Sequence, residues 1–418
     1  MFELNDNAQQ EEISRLSLQL RSAYYESNRE SIGVYPTPYG GRMTESIGAW
    51  PEFILKGTFC KRSIQGLCSP CFYSRFPLTK ANRHDYLAML KSQTSYVTNN
   101  FDELVVKRQY GLADDSFLTI SLVLTPTGSF FDEYEFPIAI RLEMEKALVN
   151  FAQVQNTSIN LHIETHADDL IEYDYENANG KTEISYLKVL NTKIIFGLES
   201  ADEYVRNVLY NKKLTLHDFE TAIKKAQLMG LATGAFVFAG LFALNDLQTH
   251  DDVVSSVKYL LEQSIFPVIM FQNAQPYTIT DVLLKKAKIT MLEPFTVAWI
   301  VEDVLELVEQ SASYYLIADP IGGPPDPDMH IFKEARLTCD NCSESIYKEL
   351  VNLRKSRDVR AFSISMKKIR QCRCYNNYRK YIDGLSLDMS LLRNRADYLL
   401  RECRSNIAWY LELTEEQR

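Results

Sequence analysis

A chain of 418 residues with 46% hydrophobic side chains can fill a substantial core, which excludes a disordered or fibrous polymer. Met1 to Ser22 is polar rather than a basic leader with an apolar centre, and the longest apolar stretch, Leu231–Leu244, is interrupted by Gly234 and Gly240 and is too short for the roughly 18–20 residues that span a bilayer, so neither secretion nor a membrane partner is expected. The net charge of −10 is uneven, since residues 351–410 hold fourteen Lys or Arg against five Asp or Glu, a basic segment on an acidic body that suits either a polyanion or helices packed on an acidic neighbour.

From Glu52 to about Met291, short apolar or β-branched runs alternate with segments of helical period, the pattern of repeated βα units around a parallel sheet. Strands are predicted at Phe53–Thr58, Leu118–Leu124, Ser158–Glu164, Thr192–Leu198, Ala232–Ala239 and Pro267–Phe271. Helices are predicted near 81–98, 137–153, 201–209, 216–229, 250–264 and 278–287. The fold class is therefore α/β, a partial (β/α)6 barrel. Ser200 to Glu203 has capping-box spacing, Thr215 to Asp218 is a weaker version, and Asn177-Ala-Asn-Gly180 reads as a turn closing an insertion. A proline-rich linker at Gly322–Asp328 divides the barrel (45–320) from a basic, mainly helical, cysteine-containing module (321–418), and residues 1–44 form an N-terminal helical extension.

Eight cysteines without a leader point to thiols for metal or redox work in a reducing cytoplasm rather than to a disulfide framework. Cys60, Cys68 and Cys71 stand at C-x7-C-x2-C directly after the first predicted strand. Ligands of parallel βα folds lie beyond the carboxyl ends of the strands, so this loop is a candidate site. Closed zinc needs four ligands, and only His84 is near enough in sequence to be a fourth. Three thiolates suit a cubane iron–sulfur cluster with one iron left open, while scattered reactive thiols are the alternative. Cys339, Cys342, Cys372 and Cys374 form a CxxC and a CxC, a candidate second metal site for zinc or a second Fe–S cluster. His162, His166 and His217 are expected to be ordinary polar or capping residues.

Several stretches, in order, resemble the radical S-adenosylmethionine (SAM) superfamily, most closely its archaeosine-synthase radical subunits and elongator-type relatives. The cysteine loop is similar to the variant with a seven-residue first gap, and "TPTGSFFDEYEFP" (125–137), "IETHADDLIE" (163–172), "FGLESADEYVRNVLYNKKLTLHDFETA" (196–222), "EPFTVAWIVEDVLELV" and "DPIGGPPDP" follow it. The resemblance covers about residues 45–350. It departs from the family at Pro70, where an aromatic often precedes the third cysteine, and at Lys213, where the family has glycine.

The resemblance implies a [4Fe-4S] cluster on Cys60, Cys68 and Cys71 and SAM held by Thr127, Gly128, Ser129, Glu164, Glu199 and Arg206. It further implies reductive cleavage of SAM to a 5′-deoxyadenosyl radical, an electron donor such as flavodoxin or ferredoxin, and a tRNA nucleobase or small metabolite as substrate. A non-catalytic zinc-binding interaction protein is the alternative from a different class.

Overall fold

The computed structural model describes residues 5–27, 52–55, 60–71, 83–101, 119–126, 128–272, 274–310, 335–356 and 358–413. Six strands, β1 (Glu52–Leu55), β2 (Thr119–Pro126), β3 (Ser158–Thr165), β4 (Lys193–Glu199), β5 (Ala232–Ala239) and β6 (Phe266–Phe271), form one sheet in sequential order. Every pairing is parallel, with Leu55 opposite Pro126, Val123 opposite His162 and Glu164 opposite Ile195. The sheet ends at β1 and β6, which makes it the expected partial (β/α)6 barrel.

Side chains that alternate along each strand divide the sheet into two faces. Ile159, Leu161 and Ile163, Ile194, Phe196 and Leu198, and Ala235, Val237 and Ala239 are buried in the main core with the surrounding helices. The opposite, lumen-facing register carries Asn160, His162 and Glu164 on β3 and Lys193, Ile195, Gly197 and Glu199 on β4. Ile195, Phe266, Val268 and Phe236 cluster there. Burial on both faces explains why β5 is a continuous apolar run rather than an alternating one.

The outer helices are α3 (Arg83–Asn99), α4 (Ile138–Val154), α5 (Ala167–Glu172), α6 (Ala178–Val189), α7 (Leu216–Leu228), α8 (Asp246–Glu262), α9 (Ile279–Lys285) and α10 (Pro294–Gln310), with one helical turn, α2 (Lys61–Ile64), in the cysteine loop. Thr215 caps α7 as expected, accepting from Asp218 N at 3.0 Å. Three local expectations are corrected. Asn177 does not close an insertion: its side chain accepts from Gly180 N at 2.8 Å and starts α6. Asn serves turns and N-caps equally well, so the dipeptide pattern alone could not separate them. Ser200 does not form a capping box with Glu203; its hydroxyl bonds Asp252 at 2.5 Å and accepts Asp202 N at 3.0 Å, and the following turn is π-helical over Tyr204–Leu209. The capping box lies instead at Asn245 and Gln248, which begins α8 at Asp246 rather than near 250.

At the N-terminus, α1 (Asp6–Ser27) buries Ile13, Leu16 and Leu20 in a second core with Leu392, Ala396, Leu399, Leu400 and Ile407 of the last helix, α14 (Met389–Leu411). Gln9 Nε2 donates to Asp397 at 2.7 Å, and Arg393 and Arg404 pair with Asp6 and Glu12. Helices α11 (Asp340–Ser356), α12 (Val359–Ile369) and α13 (Arg373–Asp383) follow α10, and α13 packs on it where Phe295 meets Tyr375 edge-on and Tyr378 at a tilt. Part of the basic segment is therefore paired with the acidic body: Arg370 reaches Glu302 as well. The Gly322–Asp328 linker and the 44/45 boundary lie outside the described residues.

Candidate functional site

The cysteine loop leaves the carboxyl end of β1 and is fastened from three sides. Within it, Ser63 N donates to Cys60 O, and Cys71 N to Cys68 O, each at 2.9 Å, which folds Cys68 and Cys71 into one tight turn. Cys68 has a φ of 56°, a left-handed conformation that costs a non-glycine residue energy and is held here by its neighbours. The segment after β4 supplies the first set of anchors. Cys68 N donates to Asn211 O at 3.1 Å, Ser69 N to Tyr210 O at 2.9 Å, and Ser69 Oγ to Leu209 O at 2.8 Å. Helix α1 supplies the second, because the buried Arg21 guanidinium donates to the carbonyls of Ser63, Leu67, Cys68 and Cys71 at 2.8–2.9 Å. Glu135 supplies the third: its two oxygens accept from Lys61 N and Ser129 N, both at 2.8 Å, joining the loops after β1 and β2.

Electrostatics follow from this crowding. Burial, then the charges of Glu135, Cys68 and Cys71, pushes the Cys60 thiol well above its ordinary range. Arg62 donates to Asp168 at 2.7 Å and to Lys212 O at 2.5 Å; burial opposes the charge on both cations, while Asp168 helps to hold Arg62 charged and Glu199 helps to hold Lys212 charged. Buried cations near Cys60 and Cys68 are surroundings that favour thiolate ligands. The donor set therefore fits a cluster: soft sulfur, three ligands, positive neighbours, at the edge where such folds bind cofactors. Burial, then Asp132, raises Glu135 to about 8.

The other predicted residues fall into place unequally. Thr127 lies outside the described residues. Gly128 allows a close approach, but by Glu135, whose carboxylate would overlap any Cβ at that position. Ser129 is buried, its hydroxyl 2.8 Å from Thr165 Oγ1 and accepting from His166 N at 3.1 Å, so it ties the loop after β2 to the end of β3. Glu164 is on the lumen register of β3, and its carbonyl accepts Phe130 N at 2.9 Å. Glu199 ends β4 at a register shift with a φ of 71°, and its carboxylate accepts from the buried Lys212 ammonium at 2.7 Å. Gly197 has no side chain because one would collide with both members of that pair.

Arg206 is a correction. Its guanidinium is buried and donates to three backbone carbonyls, Leu214 at 2.7 Å, Ser200 at 3.0 Å and Ala201 at 2.9 Å. The π-helical turn aims it at its own loop, where it staples residues 200–214, rather than at a carboxylate in the lumen. The Lys213 departure also has a structural consequence: that residue adopts a φ of 51°, the conformation for which the family's glycine is suited.

Sequence reasoning missed Arg21, Glu135 and Lys212. Glu135 stands inside the quoted 125–137 motif and Lys212 inside the quoted 196–222 motif, so a signal existed for both; Arg21 acts across a long separation that no local pattern marks. A further polar group, His166, Asp168 and Asp169, is gathered within 4.8 Å, but Lys61 pairs with Asp169, Asp168 and Asp132, so cations of the chain already meet these acids. Burial lowers His166 to about 4, a neutral polar residue as expected.

In the C-terminal module, the sulfurs of Cys339, Cys342, Cys372 and Cys374 all lie within 4.8 Å of one another, with Cys339 and Cys372 at 3.9 Å. None of the eight cysteines is in a disulfide.

No family model matches the chain. It is 22% identical over 373 residues to archaeosine synthase subunit beta of Methanosarcina acetivorans, covering 85% of this chain and 94% of that protein. It is also 22% identical over 344 residues to an uncharacterised protein of Methanocaldococcus jannaschii, covering 81% of this chain and 83% of that one. Among solved structures, methylornithine synthase aligns with 78% of this chain and 85% of its own at 13% identity and a TM-score of 0.38. Near-complete alignment with the archaeosine synthase subunit, joined to the ordered motifs on the parallel half-barrel, relates this chain to the radical SAM superfamily.

Proposed function

We propose that the chain is a radical SAM enzyme whose Cys60, Cys68 and Cys71 hold a [4Fe-4S] cluster with its fourth iron open to SAM. The observation that carries this reading is the loop at the carboxyl end of β1, where Cys71 N donates to Cys68 O at 2.9 Å, Arg21 holds both residues by their carbonyls, and the buried Arg62 reaches the backbone of the buried Lys212. Bound there, the cluster and SAM would supply a one-electron reductive cleavage and, through it, the capacity to abstract hydrogen from the substrate by a 5′-deoxyadenosyl radical.

The chain's own residues prepare the site. Arg21 and Glu135 fix the loop that carries the thiols, while Arg62 and Lys212 offset thiolate charge. Glu164, at the end of the neighbouring strand β3, is a carboxylate suited to a ribose hydroxyl or the methionyl ammonium. Glu199 is already neutralised by Lys212, which suits hydrogen bonding better than charge pairing. The electron comes from a flavodoxin- or ferredoxin-type donor, and eight cysteines without a disulfide favour a reducing compartment such as the cytoplasm.

The substrate class we favour is a nucleobase in tRNA. The relative's name, archaeosine synthase, and the surplus of basic residues in 351–410 support it.

Anaerobic reconstitution tests the reaction. The expected result is a brown protein holding about four irons, which yields 5′-deoxyadenosine from SAM under reduction and loses both properties on Cys68→Ala. A colourless protein that holds zinc alone would replace this reading with the interaction-protein alternative. Binding of tRNA that weakens steeply with salt supports the RNA substrate, and binding with no salt response removes it.

A further inference from the structure

We propose that Cys339, Cys342, Cys372 and Cys374 form a closed tetrathiolate site for one zinc ion, separate from the Cys60 loop, which fastens the C-terminal helices to the barrel.

Sulfur spacing separates one ion from a cluster. With zinc–sulfur bonds of about 2.3 Å, a tetrahedron brings sulfurs to about 3.8 Å from each other. The four sulfurs here lie within 4.8 Å of one another, and Cys339 and Cys372 are at 3.9 Å. A disulfide would require about 2.05 Å. A cubane spreads its thiolates wider, because metal and sulfide both stand between them.

The backbone prepares the four thiols as ligands. Cys339 immediately precedes α11 and Cys342 is in its first turn; Cys372 is the N-cap of α13 and Cys374 is in its first turn. Two helix N-termini thus meet at the four sulfurs, which places both CxxC and CxC pairs at one point of the module. Cys342 and Cys374 are buried and belong to the main core, whereas Cys339 is exposed. Four sulfur donors leave no position for a substrate, which makes the ion structural. Thiolate ligands and the order of divalent affinities favour zinc over iron.

Each half of the site is also bound to the barrel. Residues leading into Cys339 are held by the buried Glu293 carboxylate, which accepts from Arg336 N, Leu337 N, Thr338 N and Thr338 Oγ1 at 2.8–3.1 Å. One turn beyond Cys374, Tyr378 packs on Phe295 and its hydroxyl lies 3.0 Å from Thr296 Oγ1. An ion joining the two pairs closes the chain between Cys342 and Cys372 into a loop whose ends are both seated on α10 and the turn before it. In the unfolded chain the same sulfurs are far apart, so binding free energy becomes folding free energy.

Metal analysis of the full-length protein, purified without oxygen and without chelators, tests this. The expected result is about one zinc per chain, retained by Cys60→Ser/Cys68→Ser/Cys71→Ser and lost by Cys339→Ser/Cys372→Ser, which keeps the iron of the first site. Cobalt grown into the wild-type protein is expected to give the intense visible bands and sulfur charge-transfer absorption of a four-sulfur tetrahedral ion. The wild-type zinc content and cobalt spectrum require no variant to fold. A folded wild-type chain without zinc overturns the proposal. So does iron and sulfide beyond one cluster that disappears in Cys339→Ser/Cys372→Ser, or a Cys339–Cys372 disulfide in peptide maps of the anaerobic protein. A chain with one zinc and no iron keeps this inference while removing the radical-enzyme reading.

Discussion

Arg21 Nη2 donates to the carbonyl of Cys71 at 2.9 Å, so the helix at the start of the chain holds the cysteine loop after β1. The same guanidinium serves Ser63, Leu67 and Cys68. Arg21→Ala leaves four carbonyls without that donor and is expected to cost about 3–5 kcal/mol. Arg21→Lys restores the charge but not the planar fork and is expected to recover less than half. Chemical denaturation measures the loss, and iron content after reconstitution is expected to fall with it. Unchanged iron retention in Arg21→Ala would separate α1 from the cluster loop.

Lys212 and Glu199 are a buried pair at 2.7 Å. Removing one partner strands the other charge in the core, so Lys212→Met and Glu199→Gln are each expected to cost about 3–5 kcal/mol. The double variant removes both charges and is expected to be less destabilised than the two losses added together. A double-mutant cycle by urea denaturation reads the coupling; additive losses would mean that the pair is not an energetic unit.

Lys213 is exposed and left-handed. Lys213→Gly relieves a conformational cost of about 1–2 kcal/mol and adds unfolded-state entropy worth about 0.5–1 kcal/mol. The variant is expected to be more stable by up to about 1 kcal/mol. A lower melting temperature for it would contradict this account.

Glu293 gathers four donors from Arg336 to Thr338. Glu293→Ala leaves them unpaired and opens space in the seam between α10 and α11. Limited proteolysis is expected to cut near residues 336–338 several-fold faster, with the barrel core still protected. Equal cleavage rates would show that the helices are held by packing alone.

Burial and the nearby Lys193 lower His162 from an ordinary value near 6.5 to about 3. The folded state therefore binds fewer protons than the unfolded chain between those values. The sign follows: stability from this residue is complete above pH 6.5 and is lost as pH falls towards 3, by up to a few kcal/mol. His162→Gln removes this component, so melting temperatures between pH 6.5 and 4.5 are expected to fall less steeply for the variant than for the wild type. Parallel slopes would exclude His162 as a source of acid sensitivity.

How much was legible depended on the range of the interaction. β5 has the predicted bounds, because a continuous apolar run between turn residues has one solution in a parallel sheet. Asn177 was misread because one residue type serves two local conformations, and only the downstream chain chooses between them. Arg206 was assigned from the family resemblance, which could not show that its guanidinium is taken up by the carbonyls of Ser200, Ala201 and Leu214.

The sequence by itself determined the order of the βα units, the position of Cys60, Cys68 and Cys71 after the first strand, and the presence of a CxxC and a CxC as candidate ligands. These depend on periodicity and spacing, which are properties of neighbouring residues. Tertiary structure alone decided that Glu199 meets Lys212, that Arg21 and Glu135 hold the cysteine loop, and that four distant sulfurs converge. Such contacts join residues brought together by packing, and their energies come from desolvation and geometry that no local segment contains.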